Sequence, residues 1–166
     1  LTFESVLRRI LRHDPDVIMV GEIRDKETAE LAVRSALTGH LILSTLHTND
    51  SVSAVTRLRN LGVAPYLIAG TLKVSIAQRL VRKICKECEG KGCELCSNTG
   101  YFGRTAVSEL FMTDSAVEEM IEKELSEGEI RRYLTRKGSG SLMYDAALKV
   151  KEGITTKDEV IREGLL

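Results

Sequence analysis

The sequence predicts an α/β fold with a parallel sheet, followed by a cysteine-bound metal segment and a helical C-terminal part. Three observations carry that expectation. Two short, continuously apolar runs, at residues 17–20 and 41–46, alternate with segments of helical periodicity, as strands and crossover helices do in a parallel sheet. All four cysteines fall between Cys85 and Cys96, so they read as one site. From Thr113 onward, capping signals and apolar stripes at helical spacing follow one another to the end.

Phe3, Val6, Leu7, Ile10 and Leu11 fall on one helical face, and Arg8, Arg9, Arg12 and His13 on the other, until Pro15 stops the helix. Val17-Ile18-Met19-Val20 has no polar alternation, so it reads as a strand covered on both faces. Asp25 caps the next helix, whose buried stripe is Ala29, Ala32, Val33, Ala36 and Leu37, and Gly39 closes it. Residues 41–46 form a second buried strand, and Val52, Val55, Leu58 and Leu61 mark the helix after it. Pro65 opens a short helix to about Leu72. Residues 74–84 and 101–112 read as extended, although the first also carries a helical pattern. In the tail, Ser126 with Glu129 and Thr156 with Glu159 form capping boxes, and Leu142, Met143, Ala146, Ala147 and Val150 form a stripe after the Gly138-Ser139-Gly140 break. No internal repeat or low-complexity segment is evident.

Composition narrows the function. With 166 residues, 43% hydrophobic and 29% charged, the chain can bury a sizeable core, which must be aliphatic because aromatics are 4% and Trp is absent. Lys+Arg and Asp+Glu both number 24, so no basic field supports nucleic-acid recognition. No apolar run approaches the roughly 20 residues of a membrane span, and the start has no secretory signal, which predicts a cytosolic protein. The missing initiator Met suggests part of a longer chain.

Ligands of open α/β sheets bind beyond the carboxyl ends of the strands, where two polar clusters lie. The first, Gly21-Glu22-Ile23-Arg24-Asp25, resembles a Walker B segment, whose carboxylate holds hydrated Mg²⁺ or polarises the attacking water. Gly21 stands where many such strands carry Asp, so the carboxylate role falls to Glu22. The alternative is a solvated Glu that caps the next helix or pairs with Arg24. In the second cluster, Thr45-Leu46-His47-Thr48-Asn49-Asp50, His47 can donate to a γ-phosphate or else bond backbone across the loop. His40 lies about 23 Å away along an extended strand and on the other face, so His47 is the candidate. His13 reads as a surface residue stabilised by a helix end. No G-x-x-x-x-G-K-[ST] loop is present, so the chain alone should bind nucleotide weakly, if at all.

Cys85-x-x-Cys88 and Cys93-x-x-Cys96 are two chelating pairs separated by Glu89-Gly90-Lys91-Gly92. Four thiolates suit tetrahedral Zn²⁺ in a structural role, the glycines allow a tight reversal, and Lys83, Lys86 and Lys91 can offset the surplus charge. Redox disulfides and buried free thiols fit less well in a cytosolic, polar segment.

The joint order of Asp14-Pro15-Asp16-Val17-Ile18-Met19-Val20-Gly21-Glu22-Ile23-Arg24-Asp25, Thr38-Gly39-His40, Ser44-Thr45-Leu46-His47-Thr48-Asn49-Asp50, Gln78-Arg79-Leu80-Val81-Arg82, the cysteine pairs and Thr99-Gly100-Tyr101-Phe102-Gly103-Arg104 resembles the ATPases of type II secretion and type IV pilus assembly. The resemblance covers essentially the whole chain. It implies the distal part of a RecA-like P-loop ATPase core at residues 1–83, a zinc knuckle at 84–100, and a returning strand with a helical subdomain at 101–166. It also implies a hexamer on the cytoplasmic side of the inner membrane, peripheral rather than inserted, coupling ATP hydrolysis to a membrane platform protein. Glu22 would be the Walker B glutamate, acting on Mg²⁺ through water, and His47 the His-box residue at the γ-phosphate. Cys85, Cys88, Cys93 and Cys96 would hold zinc. Gly21 is usual in this family. The Walker A loop, an acidic box that shares or owns the general-base role, and the arginine fingers would lie upstream of Leu1. Retraction ATPases generally lack the tetracysteine segment, which favours the assembly or secretion branch. The competing reading is a zinc-stabilised interaction module without ATPase activity of its own.

Overall fold

The computed structural model describes residues 3–10, 13 and 15–165. Leu11, Arg12 and Asp14, and the side chains of Phe3, Leu7 and Arg8, lie outside the described residues. The elements run α1 (Phe3–Ile10), β1 (Val17–Val20), α2 (Lys26–Leu37), β2 (Leu41–Ser44), α3 (Ser53–Asn60), α4 (Pro65–Thr71), β3 (Val74–Ile84), β4 (Tyr101–Met112), α5 (Ser115–Glu122), α6 (Glu127–Arg136), α7 (Leu142–Lys151) and α8 (Lys157–Arg162). By packing, the chain forms two compact units, Leu1–Ser75 with Phe111–Tyr133 and Ile76–Leu110 with Leu134–Leu166.

In the first unit β1 and β2 pair in parallel, from Val17 opposite Leu41 to Val20 opposite Ser44. The connection is α2, as a parallel pair requires. Asp25 caps α2 by accepting from the Thr28 N–H at 2.8 Å, and Gly39, at φ +102°, lets the chain reverse into β2. Ala29, Ala32 and Val33 are buried as expected, but Leu37 is exposed because it lies in the last turn, beyond the packed face.

The expectation of strands covered on both faces is not met. Ile18 and Val20 are buried, whereas Met19 is 79% and Leu41 55% exposed, with Val17 and Leu43 also bare. One face of this sheet has α2 and its neighbours against it, and nothing among the described residues covers the other. The second strand also stops at Ser44 rather than Leu46, since the chain leaves the ladder at Thr45. The rest of this core is helical: Val52, Val55, Leu58 and Ile68 are buried, and α4 packs against α2, α3 and α5.

In the second unit β3 and β4 are hydrogen-bonded neighbours, and Cys85 N–H donates to Gly100 O where the hairpin meets the cysteine segment. The competing helical pattern at β3 gives way to alternation: Ala77, Val81 and Val107 enter the core with Leu142, Ala146, Val160 and Leu165. Met143 and Ala147 are exposed, because α7 buries only the narrower Leu142, Ala146 and Val150 line.

The Ser126 and Glu129 capping box closes reciprocally, with Ser126 N–H donating to Glu129 Oε2 at 2.9 Å and Glu129 N–H to Ser126 Oγ at 3.4 Å. Its expected repeat at Thr156 is only half made. Thr156 Oγ1 accepts from Glu159 N–H at 3.1 Å, but the Glu159 carboxylate turns inward. There it accepts from the Arg82 N–H and guanidinium and from Arg162, at 2.6–2.9 Å. A side chain 1% exposed, bound by two arginines, fastens α8 to β3. Arg82 also stacks 4.3 Å above the Tyr101 ring, whose hydroxyl meets Thr156 Oγ1.

The Arg162 hydrogen bonds, opposed by burial and supported by Arg82, hold the Glu159 carboxyl far below its ordinary value. A depressed carboxyl stabilises the fold above its unfolded value and loses that contribution as pH falls. Thermal melts should therefore show the wild type losing stability below about pH 5 more steeply than Glu159→Gln. At neutral pH the variant should be less stable by about 2 kcal/mol, for the charge-assisted hydrogen bonds it gives up.

Candidate functional site

The parallel ladder ends level, and two further hydrogen bonds beyond it, one of them between backbone groups, tie the two strand tips together. Thr45 Oγ1 donates to Gly21 O at 2.7 Å and Ile23 N–H to Thr45 O at 3.1 Å. That register brings Glu22, just past β1, to His47, just past β2. His47 Nε2 lies 2.5 Å from Glu22 Oε1, and Arg24 Nη2 lies 2.6 Å from Oε2. The Arg24 hydrogen bond holds the Glu22 carboxyl below its ordinary value; desolvation opposes this and His47 adds to it. Oε1 is shielded from solvent yet has no aligned hydrogen-bond donor. A strand-tip carboxylate oxygen in contact with an exposed histidine nitrogen is suited to a water of a hydrated cation once that nitrogen is engaged elsewhere.

Glu22 thus pairs with Arg24, and capping of α2 falls to Asp25. His47 is 78% exposed at its side chain and reaches the carboxylate while presenting the rest of its ring outward. His40 is elsewhere: its Nδ1 lies 3.0 Å from Ser35 O and 3.1 Å from Thr38 Oγ1, at the end of α2. His13 is exposed.

Asp50 is an anchor that sequence reasoning left without a role. It accepts from Ser53 N–H at 2.9 Å and pairs with Arg131 of α6 at 2.9 Å, so the loop carrying His47 is held at its far end. Burial opposes ionisation of Asp50, but Ser53 and Arg131 outweigh it and lower its pKa. The Asp-x-x-Ser spacing was a signal for the first bond; Arg131 lies 81 residues away, and no local pattern announces it.

In the second unit the four cysteine sulfurs lie within 4.8 Å of one another. Cys85 to Cys93 and Cys88 to Cys96 are 3.8 Å, and Cys93 to Cys96 is 3.7 Å. Sulfurs placed tetrahedrally about one Zn²⁺ at its usual bond length would be about 3.8 Å apart, so the donor set fits that ion. Burial opposes ionisation of Cys96, but the N–H groups of Cys93 and Gly100 outweigh it and lower its pKa. In Cys93 a backbone hydrogen bond favours the thiolate, but burial and the neighbouring sulfurs raise its pKa. Lys91 lies 3.9 Å from Glu89, both side chains being exposed.

The cysteine segment also corrects the expectation of no repeat. Cys85-Lys86-Glu87-Cys88-Glu89-Gly90-Lys91-Gly92 and Cys93-Glu94-Leu95-Cys96-Ser97-Asn98-Thr99-Gly100 share Cys-x-x-Cys-x-x-x-Gly, and their backbones match in the second half of each. Glu89 and Ser97 both have φ +51°, and Lys91 N–H to Cys88 O is repeated by Thr99 N–H to Cys96 O. The period is only eight residues and its shared letters are few, which hid it.

The chain thus combines an α/β unit, whose two parallel strands lead to Glu22 and His47, with a second unit that carries the tetracysteine cluster. The family model described as "Type II/IV secretion system protein" matches residues 1–162, and the chain belongs to that family. The type II secretion system protein HxcR of Pseudomonas aeruginosa is 45% identical over 98% of this chain and 36% of its own length. The type IV pilus assembly ATPase PilB of Thermus thermophilus is 43% identical over 97% of this chain and 21% of its own. Among solved structures, the pilus retraction motor PilT with bound ADP superposes with TM-score 0.78 at 28% identity, over 98% of this chain and 43% of that one. The chain therefore spans little more than a third of the first of these relatives, or less.

Removing metal with a chelator should lower the melting temperature by about 5–10 °C, the shift that a few kcal/mol produce at this size. Cys93→Ser should do the same without chelator. A melt unchanged in both, with no metal bound, would refute the metal centre.

Proposed function

We propose that this chain is the distal core and C-terminal part of an ATPase that powers type II secretion or type IV pilus assembly. The observation that carries the reading is the meeting of Glu22 and His47 at the tips of two parallel strands, with His47 Nε2 against Glu22 Oε1. In the whole protein this corner would face ATP and Mg²⁺. When bound, Mg²⁺ neutralises charge on the β- and γ-phosphate oxygens.

The residues here do the rest. Glu22, kept ionised by Arg24, accepts hydrogen bonds from metal-bound or attacking water. His47 Nε2–H donates to a γ-phosphate oxygen where developing charge needs a donor. With no phosphate to engage, the same nitrogen rests against Glu22, so the two partners compete for it. The acidic box expected upstream would share or own the general-base role, which leaves Glu22 as the organiser of metal and water.

Residues 1–83 would form the distal half of the core, 84–100 a structural zinc knuckle held by Cys85, Cys88, Cys93 and Cys96, and 101–166 the returning strand and helical subdomain. The bare face of β1 and β2, with Val17, Met19, Leu41 and Leu43, is where the remaining length of such a protein would pack. The wider reading is a homo-hexamer, cytoplasmic and peripheral at the inner membrane, working on a platform protein and recognising no nucleic acid. The family and the relatives' names support the secretion and pilus context. Among the described residues no helix is long and apolar enough to cross a membrane.

In the full-length protein, Glu22→Gln should lower steady-state ATP turnover by about 100-fold or more while nucleotide binding, read by fluorescence titration, is retained. Wild-type turnover in that variant would overturn the role given to Glu22.

A further inference from the structure

The eight-residue repeat is built around the sulfurs as well as visible in the chain. Its first cysteines face each other, Cys85 against Cys93, and so do its second, Cys88 against Cys96, both at 3.8 Å. The glycine that ends each repeat donates its N–H to the second sulfur of its own repeat, Gly92 to Cys88 Sγ at 3.2 Å and Gly100 to Cys96 Sγ at 3.3 Å. Each of these glycines also lies against the sixth residue of the other repeat. A Cβ on Gly92 would meet Asn98 O at 3.1 Å, and one on Gly100 would meet Gly90 O at 2.4 Å. These relations recur from one repeat to the other around the four sulfurs. The match breaks in the first half of each repeat: Cys93 N–H adds a bond to Cys96 Sγ at 3.2 Å whereas Cys85 N–H goes to Gly100 O, and the bonds from Asn98 N–H to Cys93 O and from Ser97 N–H to Glu94 O occur in the second repeat alone among the described residues.

We propose that the metal centre is a duplicated half-site, and that Gly92 and Gly100 are its positioning residues, each holding one thiolate in place through its backbone N–H. The geometry states why both are glycine. At φ +95° and +76° the N–H is turned back toward the sulfur four residues earlier, and a side chain would collide with the other half-site. A backbone N–H aimed at a thiolate offsets part of the surplus negative charge of a four-sulfur site. This inference rests on the metal reading above and is independent of the ATPase reading.

Gly90 is the internal control. It has φ +84°, its Cβ would make only ordinary contact with Ile84, and its N–H has no sulfur partner among the described residues. Zinc competition against a chromophoric chelator should show Gly92→Ala losing affinity by about 10- to 100-fold. That loss should exceed the loss in Gly90→Ala by about tenfold or more, since both carry the left-handed backbone penalty. Cobalt(II) bound to Gly92→Ala should show its sulfur-to-metal charge-transfer band shifted from wild type, with no shift in Gly90→Ala. The wild-type chain also gives a test that needs no variant. Loaded with ¹¹³Cd, it should show coupling across the hydrogen bonds from the metal to the amide protons of Gly92, Gly100 and Cys93, and none to Gly90. Cadmium bound without those couplings would overturn the positioning role alone. A wild-type chain that takes up neither zinc nor cadmium would overturn the metal reading and this one with it.

Discussion

The parallel ladder between β1 and β2 sets the position of everything in the candidate nucleotide corner. Each strand is four residues, and their pairing ends with Val20 opposite Ser44, so the two chains leave the sheet side by side. Glu22 is two residues past one end and His47 three past the other, close enough for Nε2 and Oε1 to touch. A slip of one residue would exchange the buried Ile18 and Val20 for Met19 and carry His47 away from the carboxylate. The small side chains Ala29, Ala32 and Val33 of α2, buried in this unit, and the Asp25 cap hold that register from the side.

The cysteine segment solves a similar problem without a core. It is too short to bury apolar surface, and several of its residues adopt left-handed backbone, Glu89, Ser97 and Asn98 among them. Such conformations are costly for residues other than glycine and persist where the surroundings over-determine them. Here the surroundings are backbone N–H groups turned onto sulfur and, in our reading, a metal that ties both halves together. The fold of the segment and its chemistry are the same set of bonds.

Local signals were legible wherever a few neighbouring residues decide the outcome. The Asp25 cap, the Gly39 reversal, Pro65 at the start of α4, the Ser126 and Glu129 box and both C-x-x-C turns needed only short windows. The Thr156 and Glu159 pair shows where such reading stops. Its first half is local and formed; its second half was outbid by Arg82, 77 residues away in sequence, which offers a buried carboxylate a stronger partner than the capping N–H. Asp50 and Arg131 meet in the same way. The bare faces of β1 and β2 are a different case: apolar side chains on both sides announce a covered strand, but burial depends on what is present to cover it.

What the sequence determined by itself is therefore the element order, the parallel character of the first sheet, the grouping of the four cysteines at one place and the family to which the chain belongs. Periodicity, caps and fixed cysteine spacings are short-range properties, and family membership is written in the order of its motifs. What only the tertiary structure decided is which distant side chains meet: Glu22 with His47, Asp50 with Arg131, Glu159 with Arg82, and the glycine of one cysteine repeat with the backbone of the other. Those meetings depend on strand register and on backbone angles accumulated over many residues. A displacement of one position, or one left-handed residue, redirects every side chain beyond it.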